Sequence, residues 1–176
     1  MACPRILIAC IGNIFLGDDG FGVEVAARLA GRAWPDGVRV VDFGARARDL
    51  AYALLDEHDA IVLVDATQRG GRPGTLYLIE PDPAEIAATE HDETTRGESH
   101  GLDPMRALRI SRSMGARYNR LLLVGCEPET FGPEGEGRLG LSAPVEAALD
   151  EAASMIESLV EPLLREAPNT AAEFSA

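Results

Sequence analysis

Six consecutive apolar residues, Ile6–Ile11, run directly into Gly12-Asn13 near the start of the chain. A short unbroken apolar run of this kind is the mark of a strand covered on both faces. Ile61–Val64 and Leu121–Val124 read the same way, and Val38–Val41 is a further strand behind a Pro35-Asp36-Gly37 turn. Between these runs the period is helical. From Asp19 to Trp34, Phe21, Val25 and Leu29 recur at i, i+4 and i+8, with Ala26, Ala30 and Ala33 beside them. Asp49–Asp56 brings Leu50, Ala53 and Leu54 to one helical face. After a turn over Gly70–Gly74, Thr75–Glu80 alternates like a strand with one face covered. Pro81–Gly101 is polar and acidic, with a short helix expected near Ala84–Ala88 and a mobile loop after it. A helix opens at Asp103-Pro104, with Asp as cap and Pro at the first helical position, and buries Met105, Leu108 and Met114. Ser142–Leu164 is a long amphipathic helix capped by Ser142. The expected fold class is α/β: a three-layer sandwich with a twisted, mainly parallel sheet of about five strands between helices.

A chain of 176 residues with 46% apolar content builds one core, and it shows no repeat or linker. Residues 1–166 are expected to form a single domain and 167–176 a disordered tail. Sixteen basic residues against 29 acidic ones give a net charge of −13, and every basic residue is an arginine. A Lys Schiff base and a P-loop lysine are therefore ruled out, and the charge argues against nucleic acid as a partner. Three cysteines, Cys3, Cys10 and Cys126, leave one unpaired in any scheme, which favours reduced thiols and a cytoplasmic location. There is no signal-peptide pattern, and no apolar stretch approaches the roughly 20 residues of a membrane span.

In such sheets ligands gather outside the carboxyl ends of the strands, so Gly12–Asp19, Asp65–Gln68 and Glu127-Pro128 are expected on one rim. Gly12 and Gly17 have P-loop spacing, but aspartates at 18 and 19 stand where Lys and Ser/Thr are required. Two carboxylates would neutralise the helix end that a phosphate uses. One of them can serve as a helix cap, while the pair suits a hard or borderline cation. Asp65 follows a buried strand, where a carboxylate needs a partner, a metal or a raised pKa; bonding to neighbouring N–H groups is the plainer alternative. Of the three histidines, His58 at the end of a helix suits C-terminal stabilisation, and His91 lies in the acidic loop. His100, at the mouth of the Asp103-Pro104 helix, is the better placed candidate. Asp19, Asp65 and His100 together would make a first-row metal site with open positions. No G-x-S-x-G, CxxC or HExxH occurs.

The ordered set of these elements resembles the hydrogenase maturation proteases, which trim the C-terminal extension of nickel–iron hydrogenase large subunits. The matching residues are Gly12-Asn13 with Asp18-Asp19-Gly20-Phe21-Gly22, then Asp65-Ala66, Pro73-Gly74-Thr75, His100-Gly101, Gly125-Cys126-Glu127-Pro128 and Gly140-Leu141-Ser142. The resemblance covers about residues 5–165. It implies that Asp19, Asp65 and His100 form a metal site that reads nickel already installed in the precursor, with Asp19 and Asp65 as the catalytic carboxylates. It implies a hydrolase of the aspartic-type endopeptidase class, acting as an enzyme activator on a large-subunit precursor. The nickel belongs to the substrate or is shared with it; no organic cofactor is expected, and the protein is expected to be a monomer. One departure stands out: many members carry a Gly-Gly-Thr-type segment after the second strand, where this chain has Asp42-Phe43-Gly44-Ala45-Arg46. That segment is associated with the substrate-facing surface. The competing readings are a non-proteolytic, nickel-dependent checkpoint protein of hydrogenase assembly and a small metabolic α/β enzyme.

Overall fold

The computed structural model describes residues 4–82 and 104–166. The apolar runs form a five-stranded sheet: β1 (Ile6–Ile11), β2 (Val38–Gly44), β3 (His58–Ala66), β4 (Leu76–Ile79) and β5 (Tyr118–Cys126), in the order β2-β1-β3-β5-β4. β2, β1, β3 and β5 are parallel, and β4 closes one edge antiparallel to β5. A 3-10 turn (Gly17–Gly20) leads into α1 (Phe21–Leu29). The remaining helices are α2 (Ala47–Ala53), α3 (Pro104–Ser113) and α4 (Ala143–Glu166). The three-layer α/β arrangement read from the sequence is the one observed.

The period-2 geometry of a strand explains why the runs are continuous. Ile6, Ile8 and Cys10 join Val62, Val64 and Val124 on one face, under Phe21, Val25 and Leu29 of α1 and Val145, Leu149 and Ile156 of α4. Leu7, Ala9 and Ile11 join Ile61 and Leu63 on the other, under Leu50 of α2 and Leu108 of α3. Every β1 residue is thus buried, because each neighbour faces a different helical layer. Arg28–Asp150 (2.7 Å) ties α1 to α4 at the surface, and Arg32–Glu157 ties the turn after α1 to the same helix.

Several boundaries differ from the sequence reading. The first helix ends at Leu29, short of Trp34, whose indole N–H turns back to donate to the Leu29 carbonyl (3.2 Å). β3 starts at His58, so this residue belongs to the strand; its Nε2 still lies 2.8 Å from the carbonyl of Ala53, the last residue of α2. Met114 lies past the end of α3 and is 53% exposed, so it is not part of the core. The second strand runs on to Gly44 with a bulge: Cys10 faces Asp42 and Ile11 faces Gly44, leaving Phe43 buried between them. The expected helix near Ala84–Ala88, the acidic loop beyond it and residues 167–176 lie outside the described residues. Among the described residues no helix is long and apolar enough to cross a membrane.

Candidate active site

The loops after β1, β3 and β5 meet at the carboxyl ends of three neighbouring parallel strands. Two glycines allow this closeness. At Gly12, φ is +149°, and a side chain would overlap the Asp19 carbonyl. At Gly22, a Cβ would overlap the carbonyl oxygens of Ile11 and Val64, so the start of α1 rests directly on the ends of β1 and β3.

Asp19 lies in the 3-10 turn, partly buried, and its Oδ2 accepts the Asn13 N–H (2.9 Å). Burial raises its carboxyl above the ordinary range, and the Asn13 bond opposes that rise only in part. Asp65 is the penultimate residue of β3, in register with Gly125 of β5, and is 8% exposed. Its Oδ1 lies 2.9 Å from the Ala66 N–H. Asp19, in the turn that follows β1, and Asp65, near the end of β3, therefore lie at one rim, where β1 and β3 pair side by side. His100 lies outside the described residues. Among the described residues no group of three or more His, Cys, Asp or Glu could hold a metal ion. His58 begins β3, at the sheet end opposite this rim.

The adjacent aspartates have different tasks. Asp18 is fully buried and accepts four hydrogen bonds, none from α1. Its Oδ2 takes the N–H groups of Glu129 (2.7 Å) and Thr130 (2.9 Å) and the Ser142 hydroxyl (2.9 Å), and Oδ1 takes the Ser142 N–H (2.6 Å). The cap expected for the first helix is instead a clamp between the β1 loop and the start of α4. Ser142 does occupy the cap position of α4, since its carbonyl accepts the Glu146 N–H (2.9 Å), but its hydroxyl is turned to Asp18.

Glu127 is a third buried carboxylate, 3% exposed, which the sequence placed on the rim without assigning it a task. It accepts the Arg69 N–H (2.9 Å), the Gly70 N–H (3.0 Å) and the Tyr77 hydroxyl (2.7 Å). Burial pushes its carboxyl up, but Tyr77 and the amides of Arg69, Gly70 and Gly71 outweigh this and hold it low. Its main chain bonds the same loop at both ends: Gly74 N–H to Glu127 O, and Glu127 N–H to Thr75 O, each 2.8 Å. The segment downstream of Asp65 is thereby fastened to the end of β5. The signal for Glu127 was in the sequence: an acid directly after an apolar strand, as at Asp65.

Cys10 and Cys126 are free and fully buried, and burial pushes both thiols up to about 12. Both stay protonated at neutral pH and are poor nucleophiles.

These features define a three-layer α/β protein that gathers carboxylates, and no ionised thiol, where its parallel strands end. Residues 23–159 match the family model described as hydrogenase maturation protease. The chain is 31% identical over 170 residues to the hydrogenase 2 maturation protease of Escherichia coli, covering 93% of this chain and 98% of that protein. It is 34% identical over 155 residues to the hydrogenase expression/formation protein HoxM of Azotobacter vinelandii, covering 86% and 70%. The solved hydrogenase maturating endopeptidase HybD of E. coli superposes with a TM-score of 0.73 at 28% identity, covering 90% of this chain and 93% of that one. The chain belongs to the hydrogenase maturation protease family. It is therefore a hydrolase, a maturation endopeptidase, and its action is on a hydrogenase precursor.

Proposed function

We propose that this endopeptidase removes the C-terminal extension of a nickel–iron hydrogenase large-subunit precursor after nickel insertion, in the cytoplasm, reading the substrate's nickel through Asp19, Asp65 and His100. The observation that carries this reading is the placement of Asp19, in the turn after β1, and Asp65, near the end of the adjacent β3, at one rim of the sheet. The topology supports the third member. Ser113 ends α3 five residues before Tyr118 starts β5, so α3 runs back along the sheet and Pro104 faces the carboxyl rim. His100 is four residues upstream of Pro104.

In this reading the substrate's nickel brings the scissile peptide against the two carboxylates. Water attacks the carbonyl carbon, a carboxylate takes its proton, and the same proton passes to the departing amine as the C–N bond breaks. Asp19 and Asp65 are the two candidates for the proton-accepting role, since both stand at the rim to which the peptide would be brought. Ligands drawn from two carboxylates and one imidazole leave positions open for the substrate's own ligands, as a shared ion needs.

The test is the mass of the precursor after incubation with the protein. Nickel-loaded precursor is expected to lose its extension, nickel-free precursor to stay intact, and His100→Ala to leave both uncut while melting normally. Equal trimming of loaded and unloaded precursor would remove nickel from recognition. Stable capture of loaded precursor with no trimming would make the protein a checkpoint factor instead.

A further inference from the structure

Eight large apolar side chains stand exposed among the described residues, and four of them collect on the two loops beside Asp19. These are Ile14 (43%), Phe15 (63%), Phe131 (39%) and Leu139 (73%). Of the other four, Tyr52 is on α2 and Leu78 on β4, while Ile110 and Met114 lie one turn apart at the end of α3.

The gathering is built by the backbone. Asn13 Oδ1 accepts the Phe15 N–H (3.0 Å) and the Asn13 carbonyl accepts the Leu16 N–H (3.0 Å), a tight turn that leaves Ile14 and Phe15 at its tip. Arg138 N–H donates to the Phe15 carbonyl, and Gly17 N–H donates to the Arg138 carbonyl, both at 2.8 Å. That bridge sets Leu139 next to Phe15. The Asp18 N–H donates to the Thr130 carbonyl (3.0 Å), which brings Phe131 alongside, and the Asp18 carboxylate clamps both loops. The Asp19 N–H in turn donates to the Leu16 carbonyl (3.1 Å), so the patch and the candidate catalytic carboxylate share one turn. Its border is acidic: Glu129, Glu134 and Glu136 are exposed against a single arginine, Arg138.

We infer that this patch is the docking surface for the protein substrate, and that it takes a segment presenting bulky apolar side chains next to basic ones. The inference rests on the endopeptidase reading above and deepens it. An enzyme that cuts one bond in one folded partner must hold that partner beside the reacting groups, and here the exposed apolar area begins at Phe15, four residues from Asp19. An apolar centre with a charged border is the usual anatomy of a protein-binding surface. The acidic border selects a basic flank and speeds encounter. Loops already fixed by hydrogen bonds lose little freedom on binding, so the contact is not spent on ordering them.

The experiment uses Phe15→Ser and Leu139→Ser, alone and in an Asp19→Asn background that prevents turnover, with nickel-loaded precursor as the probe. Exposed sites of this kind leave the fold intact, so melting temperatures should match the parent. Each substitution is expected to raise KM and Kd about tenfold or more, the effect of removing an interface anchor, with kcat within about twofold. Glu134→Gln with Glu136→Gln should weaken binding at low salt and lose that effect at high salt. Unchanged KM and Kd in both apolar variants would overturn the inference. If the parent binds precursor without cutting it and Phe15→Ser abolishes binding, the endopeptidase reading fails and the docking surface stands. If the parent sediments as a dimer that Leu139→Ser splits, with precursor affinity unchanged, the patch joins two copies of this chain and the inference is refuted.

Discussion

Asp18→Asn is expected to damage the fold, and Asp19→Asn, one residue away, to spare it. All four groups around Asp18 are donors, and three of them are backbone N–H groups. An asparagine keeps one oxygen and presents an NH2 group where the other oxygen was. In its better orientation the oxygen still meets the Glu129, Thr130 and Ser142 hydroxyl donors, while the new NH2 faces the Ser142 N–H. That leaves a buried donor unsatisfied, at about 1–3 kcal/mol, and the three retained bonds lose the extra strength a charged acceptor gave them. The sum is roughly 3–5 kcal/mol. At about 2–4 °C per kcal/mol for a chain of this size, the melting temperature should fall by roughly 6–20 °C.

Asp19 has the opposite sign. Its folded-state pKa lies above the unfolded one, so its contribution is favourable while it is protonated and is lost as pH rises through the folded value. At neutral pH the ionised form is therefore a burden on stability, and asparagine mimics the protonated form while still accepting the Asn13 N–H. Thermal unfolding of both variants at pH 7, followed by circular dichroism, is the assay. Asp19→Asn should melt at or above the parent and fail to cleave. A melting temperature for Asp18→Asn within about 2 °C of the parent, or an equal fall in both variants, would refute the division of tasks.

Gly22→Ala drives a Cβ into the carbonyl oxygens of two adjacent strands, which cannot yield separately, so a loss of about 3 kcal/mol or more is expected in chemical denaturation. Cys10→Ala and Cys126→Ala should each keep cleavage and lose only about 1 kcal/mol for the small void. With both thiols at about 12, alkylation at pH 8 should mark neither until the protein is unfolded, as peptide mass mapping would report. Glu127→Gln should free the segment from Arg69 to Gly74, seen as faster amide exchange at Arg69 and Gly70. Because the Glu127 pKa is lowered on folding, its support is present above the ordinary carboxylate range and is lost as pH falls through the folded value. The variant should lack that acid-side loss; an unchanged acid profile would count against the assignment.

The strands were legible because burial on both faces writes itself as an unbroken apolar run. Their ends were not, because Ile61–Val64 extends to His58–Ala66 through residues whose main chains pair with β1 and β5 whatever their side chains. The β-bulge at Phe43 was equally hidden, since it depends on register with Ile11 and not on local composition. For the site, Asp65 was legible from its place after an apolar run, and Asp19 from its place after the first strand's glycine turn. The role of Asp18 was not. Its partners lie 111 to 124 residues away in sequence, so nothing local separates a clamp from a cap.

What distinguishes the rim carboxylates is the supply of donors, not the degree of burial. Asp18 and Glu127 are as deeply enclosed as core residues, yet each meets three or four N–H and O–H groups, which lock it as an acceptor and spend it on holding loops. Asp19 is less enclosed but takes the Asn13 N–H, so burial prevails and its proton affinity rises. Desolvation acts on Glu127 and Asp19 in the same direction, and the donors reverse it for Glu127 alone. A carboxylate saturated with backbone donors has little capacity left for a proton or an incoming ligand. The chain thus uses two acids to make the rim rigid and leaves Asp19, set between the clamped loops, chemically available.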